Sequence, residues 1–292
     1  MLDPNQPLDR PKVVFLGSGD RRPNVLKQVE QLRPLIEKYA DVVLEDFDYS
    51  ADLNDCGADF AIVLGGDGSI LRAGKKMKSS QLPVLGVNLG KLGFLANVQP
   101  STIEDAMQCI QMGKYQLVDH LMMQCRVYKD DELVVEDLGL NELSILGGPP
   151  FNIQQMDLFV DGELATSYSC DGLIISTPVG STAHNLSAGG PILRKNLQAF
   201  VISPISPHTL TVRPVVDTAD RVYEIIVSQP NQSTCAVLDG QIMTELTAQH
   251  RVKICRANSV FQLIQIQGNN YYQTLTEKLG WAGSAIKKRP AK

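Results

Sequence analysis

The amino-acid sequence predicts two domains, an α/β amino-terminal domain with an open parallel sheet and a β-rich carboxy-terminal domain. From residue 12 to about residue 117, apolar β-branched segments alternate with segments of helical spacing, which is typical of a parallel sheet covered by helices. After His120, short segments alternate apolar and polar residues with turn residues between them, which indicates antiparallel strands. A chain of 292 residues is long enough for two such domains.

Composition and charge narrow the class of protein and its partners. Hydrophobic residues make up 43% of the chain and charged residues 20%, as in ordinary globular proteins. The net charge of −5 argues against a nucleic acid or an anionic membrane as the main partner. No apolar run approaches the ~20 residues that span a bilayer. The six cysteines are scattered without C-x-x-C spacing, which favours reduced thiols in a cytoplasmic protein over disulfides or zinc.

The first domain is predicted to contain four strands and three helices. Strands are expected at short β-branched runs, and helices where apolar residues recur every three or four positions. The third helix is expected to begin with a capping box, in which Ser101 is the N-cap and Glu104 follows three residues later, and to end at Gly113. The predicted strands are 13–16, 41–44, 60–64 and 83–87, and the predicted helices are 25–36, 69 to about 77, and 101–112.

The second domain is predicted to be mostly antiparallel sheet, with one short helix capped by Ser181 and ended by Gly189-Gly190. A last helical stretch runs from Tyr271 to Trp281. The predicted strands are 121–128, 133–138, 140–146, 155–160, 163–169, 173–176, 199–202, 223–227, 234–238, 251–256 and 261–265. We expect a disordered lead over 1–11, the α/β domain over 12–118, the β-rich domain over 119–268, and a segment over 269–292 that packs back on the first domain and ends in a basic tail.

The turn Gly65-Gly66-Asp67-Gly68 lies between a β-branched strand and a helix. Glycines at such a turn let a phosphate approach the N–H groups of the helix N-terminus. The Asp67 carboxylate would repel that phosphate unless a metal ion lies between them or a hydroxyl has to be deprotonated, which points to phosphoryl transfer. From this motif alone, a plain tight turn is the equal alternative.

Three arginines are candidates for contact with the phosphates. Arg72 follows one turn into the helix, and Arg21 and Arg22 follow the first strand. For each of them a solvated side chain is the equal alternative. The segment that begins at Gly17 fits a dinucleotide-binding fingerprint poorly, because Arg22 replaces its third glycine.

The densest polar motif runs from Cys170 to Ile192. A strand is preceded by Asp171-Gly172 and followed by a turn and a short helix that are rich in small and hydroxyl residues. Such residues make a poor core, but their hydroxyls and the helix N-terminus can bind a sugar or an amide.

These two motifs resemble those of the NAD kinase family, in particular the bacterial ATP-NAD kinases. The Gly-Gly-Asp-Gly turn is shared with lipid kinases, whereas the segment from Ser176 to Ala183, Ser-Thr-Pro-Val-Gly-Ser-Thr-Ala, is far more specific. Similar segments occur at 89–95, 141–142, 207–214 and 238–241, so the resemblance covers roughly residues 12–280. It implies a fold of the NAD kinase and diacylglycerol kinase type, and transfer of the terminal phosphate of ATP to the 2′-hydroxyl of the adenosine ribose of NAD.

The resemblance also implies roles for individual residues. Asp67 would accept the proton of the 2′-hydroxyl, and Gly65 and Gly66 would lie near the phosphates of ATP. Mg²⁺ would arrive with ATP and lie near Asp67 without a fixed protein-held site. The implied NAD-binding residues are Asp67, Gly68, Asn141, Glu142, Asp171, Thr182, Ala183, His184, Asn185, Leu186, Ser187 and Gln241.

The chain departs from the family pattern at two positions. His184 stands where a tyrosine is usual, and Ser169 stands where many members carry an arginine. Both changes bear on the preference between NAD and NADH, which the sequence leaves open. It also leaves open whether ATP, another triphosphate or polyphosphate is the phosphate donor.

Two other functions share part of these observations. A lipid or sphingoid kinase would share the glycine turn, and a non-enzymatic NAD-binding regulator would not need Asp67.

Exposed sheet edges in the β-rich domain favour a homodimer or homotetramer. His120 and His250 are expected at surface or edge positions, and no histidine pair has the spacing of a zinc site.

Overall fold

A computed structural model describes residues 6–19, 24–90, 93–266 and 271–280 of the chain. The chain divides into two compact units. Unit 1 contains the described residues up to Ala73, those from Leu82 to Val118 and those from Gln262 onward, and unit 2 contains Gly74–Gln81 and Asp119–Phe261.

The helices and strands follow one another along the chain in two parts. The first part contains β1 (Lys12–Gly17), α1 (Asn24–Ile36), β2 (Asp41–Asp46), β3 (Phe60–Gly65), α2 (Asp67–Met77), β4 (Val84–Asn88), a 3-10 turn (Pro100–Thr102) and α3 (Ile103–Gln111). The second part contains β5 (Tyr115–Lys129), β6 (Glu132–Gly139), β7 (Glu142–Leu146), β8 (Gln154–Val160), β9 (Glu163–Cys170), β10 (Gly172–Ser176), a 3-10 turn (Gly180–Thr182), α4 (His184–Ser187), β11 (Ala199–Ile205), β12 (Val215–Thr218), β13 (Tyr223–Val227), β14 (Cys235–Leu238), β15 (Gln241–Glu245), β16 (His250–Ile266) and α5 (Tyr271–Leu279).

Unit 1 is built on parallel strands, which confirms the predicted α/β fold. β1 lies between β2 and β3, β4 pairs with β3, and the end of β16 pairs with β4 through Leu263 and Val84. β3 and β4 are buried along their whole length, as expected for strands covered on both faces. The helix predicted over 25–36 is confirmed, with its apolar positions in the core of this unit.

The order of these strands determines where unit 1 can bind a ligand. The chain passes from β1 to β2 on one side and to β3 on the other, so that the strand order reverses beside β1. Gly17 pairs with Leu64, and Gly65 pairs with Asn88, which brings the carboxyl ends of β1, β3 and β4 to one edge. Ligands of open α/β sheets bind outside the carboxyl ends of the strands at such a reversal.

Two helix starts in unit 1 differ from the prediction. Helix α2 begins at Asp67 rather than at Ser69, because the Gly66 carbonyl already accepts the N–H of Ser69 at 2.9 Å. The predicted capping box at Ser101 is wrong. Pro100 begins a 3-10 turn, so the N-cap of α3 is Thr102, whose hydroxyl donates to the Gln99 carbonyl at 3.2 Å instead of capping the helix. The predicted end at Gly113 is confirmed by its φ of 67°.

Unit 2 consists of antiparallel sheet, which confirms the predicted β-rich second part. Six strands of the described chain form one sheet in the order β12-β11-β10-β7-β14-β15. The other sheet of this unit has the order β16-β13-β8-β9, and β5 pairs with both β16 and β6. Side chains from both sheets form the core, where the rings of Phe200 on β11 and Tyr223 on β13 meet edge to face with centroids 5.8 Å apart.

Several predictions for unit 2 need correction. The strands expected at 251–256 and 261–265 form one continuous strand, β16, and the edge strands β12 and β15 were not predicted because their polar or exposed residues lack a clear alternation. Ser181 does not cap the short helix. The N-cap of α4 is Ala183, and the Ser181 hydroxyl donates to the Pro178 carbonyl at 2.6 Å.

The described ends of the chain both belong to unit 1. From residue 6 onward the expected disordered lead contacts unit 1, because the Leu8 N–H donates to the Gln111 carbonyl at 3.0 Å and Arg10 pairs with Asp41 at 2.6 Å. Unit 2 ends at Phe261, and α5 belongs to unit 1, the domain on which the segment from residue 269 is expected to pack. Trp281 and the basic tail lie outside the described residues. Within the described ranges, no helix combines the length and the apolar character needed to cross a membrane.

Candidate active site

The carboxylate of Asp67 is held by the loop that follows β4. Its Oδ2 accepts the N–H of Phe94 at 2.7 Å, and its Oδ1 accepts the N–H groups of Leu95 at 2.9 Å and Ala96 at 3.0 Å. Because β3 and β4 are adjacent and parallel, the turn after β3 and the loop after β4 meet at one edge of the sheet. The topology of unit 1 therefore fixes the direction of this carboxylate.

Three hydrogen bonds limit what Asp67 can do next. A carboxylate offers about four acceptor positions. Backbone N–H groups of the described chain fill three of them in Asp67, which leaves one position on Oδ2. Asp67 is only half-buried, so that position is open to one hydroxyl group or one metal ion.

Gly93 permits the close approach of the loop to Asp67. A Cβ atom at residue 93 would lie 2.1 Å from Oδ1 of Asp67, a distance that no packed structure allows. In the same loop, a Cβ atom at Gly90 would come no closer than 3.9 Å to the Asn88 side chain. The requirement for glycine is therefore specific to residue 93.

Arg72 lies beside the strand-order reversal of unit 1, held by neighbouring side chains. Its Nη1 donates to the Ser18 hydroxyl at 3.1 Å, and its guanidinium lies 4.2 Å from the ring centroid of Tyr49. The Ser18 and Ser69 hydroxyls are 3.4 Å apart. These contacts place a cation and two hydroxyls next to the glycine turn, where Gly65 ends β3 and Gly68 is exposed. Arg21 and Arg22 lie outside the described residues.

The backbone of Asn141 is packed tightly in unit 2. The Asn141 carbonyl accepts the N–H of Thr177 at 2.8 Å. A Cβ atom at Gly180 would lie 2.2 Å from the same carbonyl oxygen, so the turn after β10 approaches Asn141 only because residue 180 is glycine. Two motifs that are distant in sequence, the Asn-Glu pair and the hydroxyl-rich turn, are therefore neighbours in unit 2.

Asp239 holds the other side of the Asn-Glu pair. Its carboxylate accepts the N–H groups of three consecutive residues, Leu140 at 2.8 Å, Asn141 at 2.7 Å and Glu142 at 3.2 Å. Asp239 lies in a segment that resembles the family pattern, but the sequence alone indicated no role for its carboxylate.

Glu142 is a buried carboxyl group in this site. Its side chain is only 7% exposed, and its Oε2 has no hydrogen-bond partner in the described chain. Burial raises the pKa of Glu142 to about 8, helped by the nearby charge of Asp239 and opposed by a hydrogen bond from the backbone of His184. Glu142 is therefore protonated at neutral pH and can donate a hydrogen bond to a ligand.

The side chains predicted to bind NAD between Thr182 and Ser187 differ in accessibility. Thr182, Ala183, His184 and Leu186 are half-buried, and Ser187 is exposed. Nδ1 of His184 lies 3.4 Å from the Ser144 hydroxyl. Five of these six residues are thus accessible to a ligand.

Asn185 is the exception, because its side chain is fully buried. Its Nδ2 donates to the carbonyls of Ser181 and Pro191, both at 3.2 Å, and its Oδ1 accepts the Ser203 hydroxyl at 2.7 Å. The amide is used by the protein itself. We infer that Asn185 shapes the turn rather than contacting a ligand.

Replacing Asn185 with alanine is expected to lower the free energy of unfolding by about 1–3 kcal/mol, because the Ser203 hydroxyl and two carbonyls lose a buried partner. Urea denaturation measures this change. The exposed Ser187→Ala variant is the control and should stay within about 0.5 kcal/mol of the wild type. A wild-type urea midpoint for Asn185→Ala with lost NAD affinity would instead identify Asn185 as a ligand-binding residue.

Gln241 and Asp171 occupy different surroundings. Gln241 is half-buried, and its Oε1 accepts Nζ of Lys75 at 3.3 Å. Asp171 is exposed and precedes β10, whereas Ser176 at the other end of β10 pairs with Glu142. Five residue steps of about 3.3 Å each separate Asp171 from Ser176 by about 16 Å along the strand. Unit 2 therefore groups the Asn-Glu pair with the turn after β10 but does not bring Asp171 to them.

The expected surface positions of two histidines are wrong. His120 is fully buried, and burial, with a further contribution from Lys195, lowers its pKa to about 4. His250 is 8% exposed, and its Nδ1 accepts the N–H of Thr247 at 2.9 Å. Across the described ranges, no group of three or more His, Cys, Asp or Glu side chains is arranged to hold a metal ion.

Comparisons with known proteins identify the family. The model of the ATP-NAD kinase N-terminal domain matches residues 25–115, and that of the ATP-NAD kinase C-terminal domain matches residues 140–266. The NAD kinase of Rhodopirellula baltica is 50% identical over 273 residues, which are 94% of this chain and 88% of that protein. The NAD kinase of Teredinibacter turnerae is 35% identical over 257 residues, which are 87% of this chain and 88% of that protein.

Two solved structures have the same fold. Yeast NADH kinase in complex with NADH has a TM-score of 0.81 and 22% identity, with 98% of this chain and 91% of that chain covered. An NAD kinase from Archaeoglobus fulgidus in complex with ATP has a TM-score of 0.68 and 24% identity, with 93% of this chain and 100% of that chain covered. Together with the family models and the half-identical relative, these findings show that the chain belongs to the ATP-NAD kinase family.

Proposed function

We propose that this protein is an NAD kinase, which transfers the terminal phosphate of ATP to the 2′-hydroxyl of the adenosine ribose of NAD and releases ADP and NADP. The observation that carries the proposal is the fixed carboxylate of Asp67, which keeps one open acceptor position beside a glycine turn and a helix N-terminus. The relationship to curated NAD kinases supports the choice of NAD and ATP as substrates.

Asp67 acts in this proposal as the proton acceptor. The proton of the 2′-hydroxyl moves to Oδ2, the hydroxyl oxygen bonds to the terminal phosphorus, and the bond from that phosphorus to ADP breaks. The single open position supports this assignment, because a carboxylate that also bound a metal ion there would have no acceptor left for the hydroxyl. Such a positioned base contributes about 10²–10⁴-fold to the rate.

Magnesium enters as part of the ATP substrate in this proposal. In this role the metal ion would be held mainly by the phosphate oxygens of ATP. The N–H groups of Asp67 and Gly68 at the start of α2 are suited to bind phosphate oxygens, whereas the N–H of Ser69 is used by the Gly66 carbonyl. Arg72 adds a positive charge at the same edge of the sheet.

NAD binding falls to residues of unit 2. Asn141 and Glu142 bind the adenosine part, and accessible groups of the turn after β10 bind the rest of the dinucleotide. Asn185 and Asp171 are left out of this set, the first because its amide is used internally and the second because it lies at the far end of β10. The residues we assign to NAD in unit 2 are Asn141, Glu142, Thr182, Ala183, His184, Leu186, Ser187 and Gln241.

The protein is further proposed to be a cytoplasmic homodimer or homotetramer. The edge strands β12 and β15 carry exposed Val215, Val216 and Ile242, which supports association through this sheet. All six cysteines are free thiols, which supports a reducing compartment. Light scattering after size-exclusion chromatography measures the mass, and a monomer at micromolar concentration would refute the oligomer.

Purified protein incubated with NAD, ATP and magnesium is expected to produce NADP, because Asp67 is placed to accept the hydroxyl proton. NADP is measured with an NADP-specific dehydrogenase. Removing divalent metal with EDTA should stop the reaction, and added magnesium should restore it. Parallel reactions with NADH as acceptor and polyphosphate as donor define the substrate range. Absence of phosphorylated product with every donor and acceptor would refute the proposed function.

A further inference from the structure

Asp239 makes four hydrogen bonds to one short segment, residues 140–142. Besides the three N–H groups that its carboxylate accepts, its own N–H donates to the Glu142 carbonyl at 3.0 Å. These bonds join residues that are 97 to 99 positions apart in sequence. On this side, the backbone at Asn141 and Glu142 is therefore held by one residue in the turn between β14 and β15, whereas the turn after β10 holds the other side.

The conformation of that turn directs the carboxylate inward. Asp239 has a φ of 49° and Gly240 a φ of 76°, the left-handed conformation that two-residue hairpin turns require. Asp is one of the few residues other than glycine that adopt it readily. Gln241, which we assign to NAD, follows two residues later on β15 and accepts Nζ of Lys75. One turn thus supports two parts of the proposed NAD site.

We propose that Asp239 is a positioning residue for NAD, whose carboxylate sets the backbone of residues 140–142 and so directs the side chains of Asn141 and Glu142 toward the dinucleotide. This inference rests on the proposed function for the identity of the ligand. Three of the roughly four acceptor positions of the Asp239 carboxylate are taken by the N–H groups of residues 140–142, so we assign it to the backbone rather than to NAD.

The charge of Asp239 also acts on Glu142. Burial is the main cause of the raised pKa of Glu142, the charge of Asp239 raises that pKa further, and a hydrogen bond from the backbone of His184 opposes the rise. Burial raises the pKa of Asp239 above its usual range, whereas its three N–H donors and the charge of Lys75 oppose that rise and favour the ionised form; the buried thiol of Cys125 is the other titratable group nearby. Lys75 is in turn paired with Asp137 at 2.6 Å. Removing the charge of Asp239 should therefore lower the pKa of Glu142 from about 8, since burial alone would then remain to raise it.

The test is the Asp239→Asn variant of the full chain, with Asp220→Asn as the control. Asparagine has the same size but presents an NH₂ group to one of the three N–H donors, so residues 140–142 must shift. Asp220 is an exposed carboxylate of the same unit and contacts none of these residues. Calorimetry measures the dissociation constant for NAD from pH 6 to pH 9, and steady-state assays with saturating ATP measure kcat and KM.

We expect Asp239→Asn to raise the dissociation constant and the KM for NAD at least about tenfold, with a much smaller change in kcat, because Asp67 and its loop belong to unit 1. The pH midpoint at which NAD affinity changes should move down. If the asparagine variant does not fold, Asp239→Ser, which keeps one acceptor oxygen in the turn, is measured in its place. Asp220→Asn should match the wild type in every measurement.

Two outcomes would overturn the inference. One is a folded Asp239→Asn variant with NAD affinity within twofold of the wild type and an unchanged pH midpoint. The other is a parallel fall in kcat, NAD affinity and melting temperature, which is the mark of a merely structural role. Failure of the proposed function is read separately, because it appears as a lack of NADP production by the wild-type protein, whereas the role of Asp239 is read from NAD binding.

Discussion

Replacing Asp67 with asparagine is expected to lower kcat by about 10²–10⁴-fold while NAD still binds. The amide has the size of the carboxylate, so its oxygen can keep the N–H groups of Leu95 and Ala96. Its NH₂ group then replaces Oδ2, which accepts the Phe94 N–H and carries the open acceptor position, so one of the three loop hydrogen bonds is lost together with that position. The variant has no acceptor for the proton of the 2′-hydroxyl, and phosphoryl transfer must proceed without a positioned base.

Single-turnover and steady-state assays of NADP formation measure this loss, and calorimetry measures NAD binding. Asp52→Asn is the matched control, because Asp52 is an exposed carboxylate of the same unit that bonds only to nearby Asn54. It should keep wild-type kinetics. Normal turnover by Asp67→Asn would show that another group accepts the proton and would remove Asp67 from its proposed role.

The sequence predicted the strands of unit 1 well because burial on both faces leaves a simple signal, a short apolar run bounded by turn residues. The glycine turn was a weaker signal, because from Gly65-Gly66-Asp67-Gly68 alone a plain tight turn is the equal alternative, and only the second motif favours a site there. Local signals failed where two of them competed. Ser101 and Glu104 form a capping box in sequence, but the fixed φ of Pro100 starts a 3-10 turn and moves the helix start past Ser101.

The contacts that fix the candidate site could not be predicted, because they join residues that are distant in sequence. Asp67 is bonded to residues 27 to 29 positions later, and Asp239 to residues almost a hundred positions earlier. Their partners are backbone N–H groups, which every residue except proline carries and which leave no mark in the sequence. Only the glycines that permit these contacts can be recognised in the sequence. Gly93 and Gly180 both lie within recognisable motifs, but the neighbour that each one accommodates becomes evident only in the fold.

Asn185 shows a second limit of sequence reasoning, which concerns residues that lie close together in one motif. Its position within the family motif implied contact with NAD, whereas its amide is bonded to Ser181, Pro191 and Ser203. Sequence reasoning assigns the whole motif to a predicted site but cannot separate residues that would touch a ligand from those that hold the turn in place.

The Gly93→Ala variant tests whether the loop that holds Asp67 matters for catalysis. The added methyl would overlap Oδ1 of Asp67, so the carboxylate must rotate or the loop must withdraw, and either change breaks hydrogen bonds from Leu95 or Ala96. A displacement of about 1 Å at a reacting group costs about 10²-fold in rate. We therefore expect kcat to fall about 10²-fold although the catalytic carboxylate is still present. Since unit 2 is untouched, the dissociation constant for NAD should stay near the wild-type value.

Gly90→Ala is the matched control for this variant, because it adds the same methyl to the same loop where the nearest atom would be 3.9 Å away. Thermal unfolding of both variants checks that the fold is intact. A loss of kcat confined to Gly93→Ala would show that the direction of the Asp67 carboxylate, and not its presence alone, is needed for proton transfer. Equal losses in the two variants would mean that the loop acts in another way, for example through the phosphates. Wild-type kcat in Gly93→Ala would mean that Asp67 works without the three N–H groups, and its single open acceptor position would then no longer support its role as the base.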